Sequence, residues 1–509
     1  MFKLLRLFVW LFGGLVVSSS EALDGFYTAG VAEFRPAIMG GTSQQLLEAN
    51  LAGYLELMAL GNGTTDIIVF PEATLNGVLT LTAVPEFTKL SLCEEQPGDD
   101  TEIAPFLRQL ACAAREYGTY LLVNVKERAT DKFSGANMIH NTNVVFDRQG
   151  AVISRYRKWN LYLEPSTNRT EEPELATFQT DFGVTFGHFV CFDMLFYTPA
   201  QDLVERLGIR HVIVTKMFNS ELPFLTASQL QQGWAWSNRV NLLAAGGSLP
   251  QAGISGSGIY AGEQGALARL MMKDETEGQR KLLLARVPLD PEEEPMDNEL
   301  LEADETTPIR LKLLQQPELK KFATWELPMV EGSSVDKRLC QEDLCCEFRI
   351  KWSPVDGGHN YRLGVWVGQR RYEEEQYSAI RLCGLFACSN SSVESCGLIS
   401  EEQREQRVVF TELQILGEFV RRPRRLIMPS TLSSSHLYAL QPSQLTWSME
   451  ELDNLTRIKM ELRQPHSQLM TFAIYGNYFD EYANGGAGRL GTQLVLLITT
   501  LMMMHLIGE

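Results

Sequence analysis

In the segment FGHFVCFD, residues 186–193, an apolar strand-like run ends and a turn begins at Cys191. Two stretches upstream have a similar form. The run IIVFPE ends at Glu72, and the segment YRKWN carries Lys158. Open α/β sheets place their reactive groups beyond the carboxyl ends of strands. The sequence therefore predicts that a thiol, a carboxylate and an ammonium meet at one edge of a sheet.

The N-terminal half alternates strand-like and helical patterns. Thr42 and Ser43 can cap a helix whose apolar face stops before Gly61, and a second helix, 104–117, closes at Gly118. Further elements are predicted as helices at 200–207 and 229–243, strands at 26–33, 66–70, 119–125, 186–190 and 211–215, and a hairpin formed by 143–146 and 151–154. This alternation predicts an α/β layer domain over residues 23–288.

The composition changes after residue 288. Residues 289–307 carry a run of acidic side chains broken by proline, which predicts a linker extending over 289–320. Beyond it, short apolar runs predict strands at 348–352, 361–367, 377–382, 408–416, 445–449, 458–462 and 469–475. We therefore expect a smaller, β-rich domain over residues 321–480, cross-linked by disulfides.

In an exported protein most cysteines are expected to pair, and an odd number can leave one free thiol. The chain has nine cysteines, an odd number. Cys93 and Cys112 are a plausible pair in the N-terminal half. Six more cysteines lie within a short C-terminal stretch, and their pairing cannot be deduced from the sequence. Cys191 remains, at the end of an apolar run.

Both ends of the chain carry targeting signals. Residues 1–22 combine a basic start, an apolar stretch and small residues, which is the pattern of a signal peptide. Small residues from Asn484, a polar spacer and an apolar tail predict a GPI-anchor signal over residues 485–509, with Asn484 as the approximate attachment site. The alternatives for this tail are a short tail anchor and a buried helix. We expect the protein on the extracellular face of the cell membrane.

Four Asn-x-Ser/Thr triplets agree with the secretory route and predict N-glycosylation at Asn62, Asn168, Asn390 and Asn454. The net charge of −18 argues against nucleic acid as a partner, because phosphates require basic surfaces. The sequence lacks the usual metal-ligand spacings, so we expect neither a metal nor a cofactor.

Cys191, Glu72 and Lys158 together can cut an amide bond. A thiol is a good nucleophile only as thiolate, so it needs a base such as Glu72 to take its proton and later give it to the departing amine. The tetrahedral intermediate carries an oxyanion, which the ammonium of Lys158 can stabilise. Each residue also has an ordinary alternative: a turn carboxylate, a charged strand face and an inert buried thiol.

Two neighbouring residues need separate interpretations. His188 lies three residues before Cys191, which puts the two side chains on opposite faces of a strand, so His188 is predicted to be structural. Glu164 follows Lys158 closely, and its carboxylate either orients Lys158 or belongs to a surface loop.

The segments PEATL, YRKWNLYLEP, FVCFDMLFYTPA and SGSGIY, in this order, resemble the nitrilase superfamily, and within it the vanin (pantetheinase) and biotinidase branch. The resemblance implies a nitrilase-type α-β-β-α sandwich followed by a Cys-bearing β-rich domain, and a GPI anchor is common in vanins. It transfers the family's catalytic triad onto Glu72, Lys158 and Cys191, with Glu164 as a weaker match.

The resemblance implies an amidohydrolase acting on a small linear carboxamide, most directly pantetheine. Biotinyl amides are the alternative substrates. A catalytically silent cell-surface binding protein on the same scaffold is the alternative from another class, although all three catalytic residue types are present.

Overall fold

The computed structural model describes residues 25–94, 102–273, 277–293, 311, 313–328, 334–353, 360–373, 376–398 and 408–480. The predicted signal peptide, the predicted anchor signal with Asn484, and most of the predicted acidic linker lie outside these residues. Among the described residues, none of the helices combines the length and apolar character needed to cross a lipid bilayer.

The N-terminal domain alternates strands and helices. In chain order its elements are β1 Phe26–Phe34, α1 Ser43–Leu60, β2 Ile67–Val69, α2 Pro105–Tyr117, β3 Tyr120–Thr130, β4 Asn137–Phe146, β5 Val152–Arg157, β6 Thr177–Gln179, β7 Thr185–Val190, α3 Asp202–Glu205, β8 His211–Lys216, β9 Glu221–Leu222, α4 Ala227–Asn238, β10 Asn241–Gly247, β11 Ser257–Ala261, β12 Gly265–Leu270 and β13 Arg280–Pro288.

Local sequence signals explain the first two helices. α1 begins at a capping box in which the Thr42 hydroxyl accepts the backbone N–H of Gln45, and it ends at Gly61. α2 carries Pro105 in its first turn, and it ends where Gly118 adopts a left-handed conformation with φ 62°. Both helices lie close to their predicted positions.

A twelve-stranded sheet forms the centre of this domain, with β5-β4-β3-β2-β1-β10-β8-β7-β6 as its main path. β1 pairs with antiparallel β13 along its length, with parallel β2 in its middle and with parallel β10 at its end. The carboxyl ends of β2, β7 and β8 therefore point in one direction, which brings the segments after Val69, Val190 and Lys216 together.

Strand alternation builds the layers on either side of the sheet. In β2, Ile67 and Val69 face a core enclosed between the two halves of the sheet, whereas Ile68 packs towards α1 and α2. On the far side, residues of β7, β8 and β10 pack with α4 and with the C-terminal domain. The order helix, sheet, sheet, helix is the predicted α-β-β-α sandwich.

A predicted helix and the predicted linker illustrate where the structure differs from the sequence predictions. The predicted helix 229–243 ends at Asn238, because Arg239 adopts a left-handed conformation with φ 52°, and the apolar residues after it form β10 instead. A short apolar run fits a buried strand as well as a helix, so periodicity alone could not separate them. The end of the predicted linker contains a strand, since β14 Leu314–Gln315 pairs in parallel with β9.

The C-terminal domain is a sandwich of two antiparallel sheets. Its strands after β14 are β15 Ala323–Glu326, β16 Ser334–Gln341, β17 Leu344–Ser353, β18 Asn360–Glu373, β19 Gln376–Cys388, β20 Val409–Val420, β21 Arg425–Ser433, β22 Leu445–Glu451, β23 Leu455–Leu462, β24 His466–Ser467 and β25 Leu469–Tyr478. One sheet has the order β15-β18-β19-β25-β21, and the other has β16-β17-β20-β23-β22 with β24 beside β20. The prediction of a β-rich domain is confirmed, although β15, β16, β21 and β24 were not predicted.

Four disulfides account for eight of the nine cysteines. Cys93 bonds to Cys112 as expected, and the bonds in the C-terminal domain are Cys340–Cys345, Cys346–Cys383 and Cys388–Cys396. The Cys346–Cys383 bond joins strands of the two sheets, β17 and β19. Cys191 is the remaining free thiol, and all nine positions lie within the described residues.

The first sheet of the C-terminal domain packs directly on the N-terminal domain. Gln229 of α4 donates to the Ser430 hydroxyl of β21 at 3.2 Å, and the Thr471 hydroxyl of β25 donates to the Pro223 carbonyl at 2.6 Å. The apolar cluster around α4 contains residues of both domains. The second domain therefore covers the side of the first on which β7 ends, and this contact brings β18 close to Cys191.

Candidate active site

Cys191 is the first residue after β7, at the start of a 3₁₀ turn that ends at Leu195. Its φ of 49° lies in the left-handed region, which is unusual for a residue with a side chain. Such a conformation costs on the order of 1–3 kcal/mol and persists only where the surroundings enforce it. The sharp turn directs the Cys191 side chain away from the path of β7.

Asp193 enforces this turn. Its fully buried carboxylate accepts the backbone N–H of Val190 at 3.1 Å and the Tyr156 hydroxyl at 2.7 Å. It also accepts the backbone and side-chain N–H groups of Asn160, at 2.8 and 2.9 Å. Burial raises the pKa of Asp193 to about 6. One carboxylate therefore ties the Cys191 turn to the segment that carries Lys158.

Glu72 lies just beyond β2 and is almost completely buried. Its Oε1 accepts Lys158 Nζ at 2.8 Å and Asn141 Nδ2 at 2.7 Å, while its Oε2 accepts the backbone N–H of Met217 at 2.9 Å. The negative charge of Glu72 raises the pKa of the Cys191 thiol, which shows that the two groups lie near each other. The predicted base and the predicted nucleophile therefore belong to the same site.

Lys158 follows β5 and lies between two carboxylates. Its Nζ is 2.8 Å from Glu72 Oε1 and 2.6 Å from Glu164 Oε1, and its side chain is only 3% exposed. Burial alone lowers the pKa of Lys158, but the surrounding negative charges, that of Glu72 foremost, raise it well above its ordinary value. Lys158 is therefore a fixed cation at neutral pH, and Glu164 is one of its direct partners rather than a surface carboxylate.

Lys126 and Asn141 complete this cluster and were not predicted from the sequence. Lys126 Nζ is 2.8 Å from Glu164 Oε2, and Asn141 Nδ2 donates to both Glu72 and Glu164. Burial raises the pKa of Glu164, but the charges of Lys158 and Lys126 outweigh it and lower that pKa to about 2. Carboxylates and ammoniums therefore alternate in the order Glu72, Lys158, Glu164, Lys126.

A second layer of asparagines holds this cluster. Asn124 donates to the side-chain oxygens of Asn141 and Asn143 at 2.7 and 3.0 Å, and it accepts the backbone N–H of Ala73 at 2.9 Å. Asn143 in turn donates to the Phe189 carbonyl at 3.2 Å. Polar residues at positions i and i+2 of an otherwise buried strand, such as Asn141 and Asn143 in β4, are the sequence signal that indicates such a network.

The thiol of Cys191 is neutral in the resting site. Burial raises the pKa of Cys191, the charge of Glu72 raises it further, and the charge of Lys158 and the Met217 N–H act in the opposite direction with smaller effect. The thiol proton can pass to the neighbouring Glu72 carboxylate as the sulfur attacks. The arrangement therefore allows nucleophilic catalysis without a stable thiolate.

His188 does not take part in this chemistry. The ring is fully buried, its Nε2 lies 2.8 Å from the Ser154 hydroxyl, and burial lowers the pKa of His188 to about 3. The prediction of a structural histidine agrees with this position. Among the described residues, no group of three or more His, Cys, Asp or Glu side chains is arranged to hold a metal ion.

A narrow cavity of about 40 Å³ opens onto Cys191. Its walls come from both domains and are lined by Tyr162, Cys191, Phe192, Leu195, Met217, Phe218, Asn219, Glu221, Leu225, Leu314, Arg370 and Tyr372. Larger grooves lie elsewhere, around α1 and along β4 and β5, and do not contain Cys191. The contribution of Arg370 and Tyr372 could not be foreseen, because they belong to β18 of the C-terminal domain.

The four predicted glycosylation positions are exposed and lie apart from the cavity. Asn62 and Asn454 lie in turns, and Asn390 follows β19. The side-chain oxygen of Asn168 accepts the backbone N–H of Ile139 at 2.9 Å, which leaves its nitrogen pointing away from that strand. Accessibility permits modification at all four asparagines, which stays a prediction.

Two protein families match consecutive parts of the chain. The carbon-nitrogen hydrolase family matches residues 36–241, which contain Glu72, Lys158 and Cys191. The vanin C-terminal domain matches residues 311–482. Vanin-like protein 3 of Drosophila melanogaster is 78% identical over 519 residues, which cover 99% of each chain. The chain belongs to the vanin-like carbon-nitrogen hydrolases.

More distant relatives also align over most of the chain. A biotinidase of Takifugu rubripes is 27% identical over 92% of this chain and 97% of its own. A pantetheinase of Homo sapiens is 28% identical over 77% of this chain and 75% of its own. The predicted fold and family are confirmed, and the protein is a hydrolase of carbon–nitrogen bonds.

Proposed function

We propose that this vanin-like protein hydrolyses pantetheine to pantothenate and cysteamine through a thioester on Cys191. The observation that carries the proposal is the buried Glu72–Lys158 pair, with Nζ 2.8 Å from the carboxylate, bonded through Glu72 Oε2 to the backbone N–H of Met217, which lines one cavity together with the free thiol of Cys191. A free thiol, a base and a fixed cation in one buried site are the groups that amide cleavage requires.

In the acylation step, the Cys191 sulfur attacks the carbonyl carbon while Glu72 takes the thiol proton. The carbonyl oxygen becomes an oxyanion, which the Lys158 ammonium stabilises. Glu72 then gives the proton to the nitrogen, the carbon–nitrogen bond breaks, and the amine leaves. The product at this stage is a thioester between the acyl group and Cys191.

In the deacylation step, a water molecule replaces the amine. Glu72 takes a proton from the water as its oxygen bonds to the thioester carbon, and Lys158 again faces the oxyanion. The carbon–sulfur bond breaks, and the Cys191 sulfur recovers the proton from Glu72. Glu164, Lys126 and Asn141 touch neither reacting atom and act by holding Lys158 and Glu72 in place.

The choice of pantetheine rests on the relatives named as pantetheinases, and biotinyl amides are the alternative because the biotinidase of Takifugu rubripes aligns over 92% of this chain. Purified protein incubated with pantetheine and with biocytin separates the two, with release of cysteamine or lysine as the measurement. We expect cysteamine from pantetheine with a kcat/KM at least about tenfold above that for biocytin. Faster release of lysine assigns the protein to the biotinidases, and no amine from either contradicts both assignments.

We further propose that the protein is N-glycosylated and GPI-anchored on the extracellular face of the cell membrane. The proposal is supported by the basic and apolar residues 1–22, by the apolar stretch within 485–509 and by four disulfides, which form in oxidising compartments. Phospholipase specific for phosphatidylinositol should release the protein from expressing cells. Retention on the cells after treatment contradicts the anchor.

A further inference from the structure

The cavity above Cys191 contains a buried ion pair between the two domains. Arg370 of β18 donates through Nη1 and Nη2 to the two carboxylate oxygens of Glu221 in β9, the second of these contacts at 2.5 Å. The side chains are only 11% and 5% exposed, and both line the cavity. The proposed reaction uses neither residue.

Such a pair is expensive to bury, because both charged groups lose their hydration. Most of the other residues that line this cavity are apolar or aromatic, so few groups there can compensate the two charges. The structure also leaves one polar atom of the pair unused: Arg370 Nε is buried without a hydrogen-bond partner among the described residues. A buried donor of this kind costs about 1–3 kcal/mol unless a bound molecule pairs with it.

The charges near the pair are unequal in number. Glu318 Oε2 lies 3.8 Å from Arg370 Nη1, so one guanidinium faces two buried carboxyl groups. The charge of Arg370 is therefore already compensated, and its guanidinium also lies 5.0 Å above the ring of Tyr372. A carboxylate oxygen has room for a second donor besides the guanidinium, so Glu221 can accept a hydrogen bond from a bound molecule. An anionic group of a substrate bound here would face the negative charges of Glu221 and Glu318. Among the residues that line the cavity, the only cation is Arg370, which these carboxyl groups already compensate.

The position of the catalytic groups indicates which part of the substrate reaches this pair. In the tetrahedral intermediate the nitrogen must lie beside Glu72 and the oxyanion beside Lys158, and neither residue lines the cavity. The remaining substituent of the carbonyl carbon is the acyl chain. It is the part left to extend into the cavity towards Glu221 and Arg370.

We propose that the Glu221–Arg370 pair is the acyl-specificity element of this enzyme, and that it selects uncharged acyl groups bearing hydroxyl or N–H donors against anionic ones. The inference rests on the proposed amidase reaction. Donors of the substrate bond to Glu221, and an acceptor such as a hydroxyl or amide oxygen bonds to Arg370 Nε. The C-terminal domain is therefore part of the active site.

Three N-acyl cysteamines that differ only at the end of the acyl chain test this inference: 5-hydroxypentanoyl, hexanoyl and glutaryl. We expect the full-length wild-type protein to prefer the hydroxyl compound over the glutaryl compound by about 10- to 100-fold in kcat/KM, because like charges at a buried contact are strongly disfavoured. The ratio between the two substrates is the readout, since a general loss of active protein cancels from it.

Two single variants move this ratio in opposite directions. Glu221→Gln leaves Arg370 with only Glu318 nearby and should raise the relative rate of the glutaryl compound at least about tenfold. Arg370→Gln removes the cation and should lower the relative rate of the glutaryl compound. Arg381→Gln is the control, because Arg381 is also a buried arginine of the C-terminal domain with an acidic partner, Asp343 at 3.0 Å, and an aromatic ring, that of Tyr478 at 4.2 Å, but it does not line the cavity. Its ratio should equal that of the wild type.

An unchanged ratio in Glu221→Gln, or shifts in the same direction for both variants, overturns the inference. Glu221→Gln decides this even if Arg370→Gln fails to fold, because the guanidinium keeps Glu318 as a neighbour. Pantetheine is included as a reference substrate. If the wild type cleaves pantetheine but does not discriminate among the three acyl groups, only the specificity inference fails. If it cleaves none of the four compounds, the proposed amidase function fails and the inference falls with it.

Discussion

Replacing Lys158 by Met tests whether this lysine stabilises the oxyanion or only fills a buried charge cluster. The variant removes the ammonium that lies 2.8 Å from Glu72 and 2.6 Å from Glu164, while the methionine side chain keeps a similar volume. Loss of one oxyanion donor lowers kcat by a factor on the order of 10² to 10³ in other enzymes. We expect a decrease of this size, with little change in KM, because the oxyanion exists only near the transition state.

Lys126→Met is the matched control for this variant. Lys126 also contacts Glu164, at 2.8 Å, and is also mostly buried, but no contact joins it to Glu72 among the described interactions. Both variants remove one partner of a buried ion pair, and each can cost about 3–5 kcal/mol of unfolding free energy. Lys126→Met should therefore lose stability as Lys158→Met does, yet lower kcat less than about tenfold.

Steady-state release of cysteamine gives kcat and KM for both variants, and thermal unfolding gives their stability. Only folded protein is compared, at a temperature below both unfolding transitions. Equal decreases of kcat in Lys158→Met and Lys126→Met would refute the reasoning, because the two lysines would then act only through Glu164. An effect of Lys158→Met on KM alone would assign it to substrate binding instead.

Three further predictions concern the other residues of the site. Cys191→Ala should abolish turnover and keep the fold, since this thiol forms no disulfide. Iodoacetamide should label Cys191 alone in the native wild-type protein, and labelling at another cysteine would contradict this assignment. Glu72→Gln should remove nearly all activity, and intact-mass spectra after a substrate pulse should show that any thioester persists; near-normal turnover contradicts its role. Burial raises the pKa of Asp193 to about 6, above its value in the unfolded chain, so the folded state holds the carboxyl proton more tightly. This contribution to the free energy of unfolding is present at low pH and is lost as the pH rises from about 4 to 6. Measured against Asp193→Asn, the wild-type unfolding free energy should fall by up to about 3 kcal/mol over that window, and parallel pH profiles would contradict this.

The sequence was sufficient for the parts of the site that lie at strand ends. Cys191 and Glu72 directly follow apolar strands, and parallel strands place their carboxyl ends at the same edge, so these residues could be brought together without a structure. The boundary of α4 was less predictable, because Arg239 carries no glycine or proline signal and the apolar residues after it suit either a helix or a strand.

The supporting residues required the three-dimensional structure. Lys126 and Asn141 come from neighbouring antiparallel strands, where the register Lys126 opposite Asn141 decides that both reach Glu164. A shift by one residue would turn these side chains to the other face. Arg370 depends on the packing of the second domain, which no local pattern of β18 specifies.

The alternating charges of the site explain why a carboxylate rather than a histidine faces the thiol. Glu72, Lys158, Glu164 and Lys126 form a chain of opposite charges that sums to zero, so the buried cluster needs no further proton to be neutral. A resting thiolate would add an uncompensated negative charge, which agrees with the raised pKa of Cys191. The thiol proton must therefore leave during the attack itself, and the carboxylate whose charge acts on the thiol is that of Glu72. His188 could not replace this carboxylate, because its pKa is lowered to about 3 and it points to Ser154.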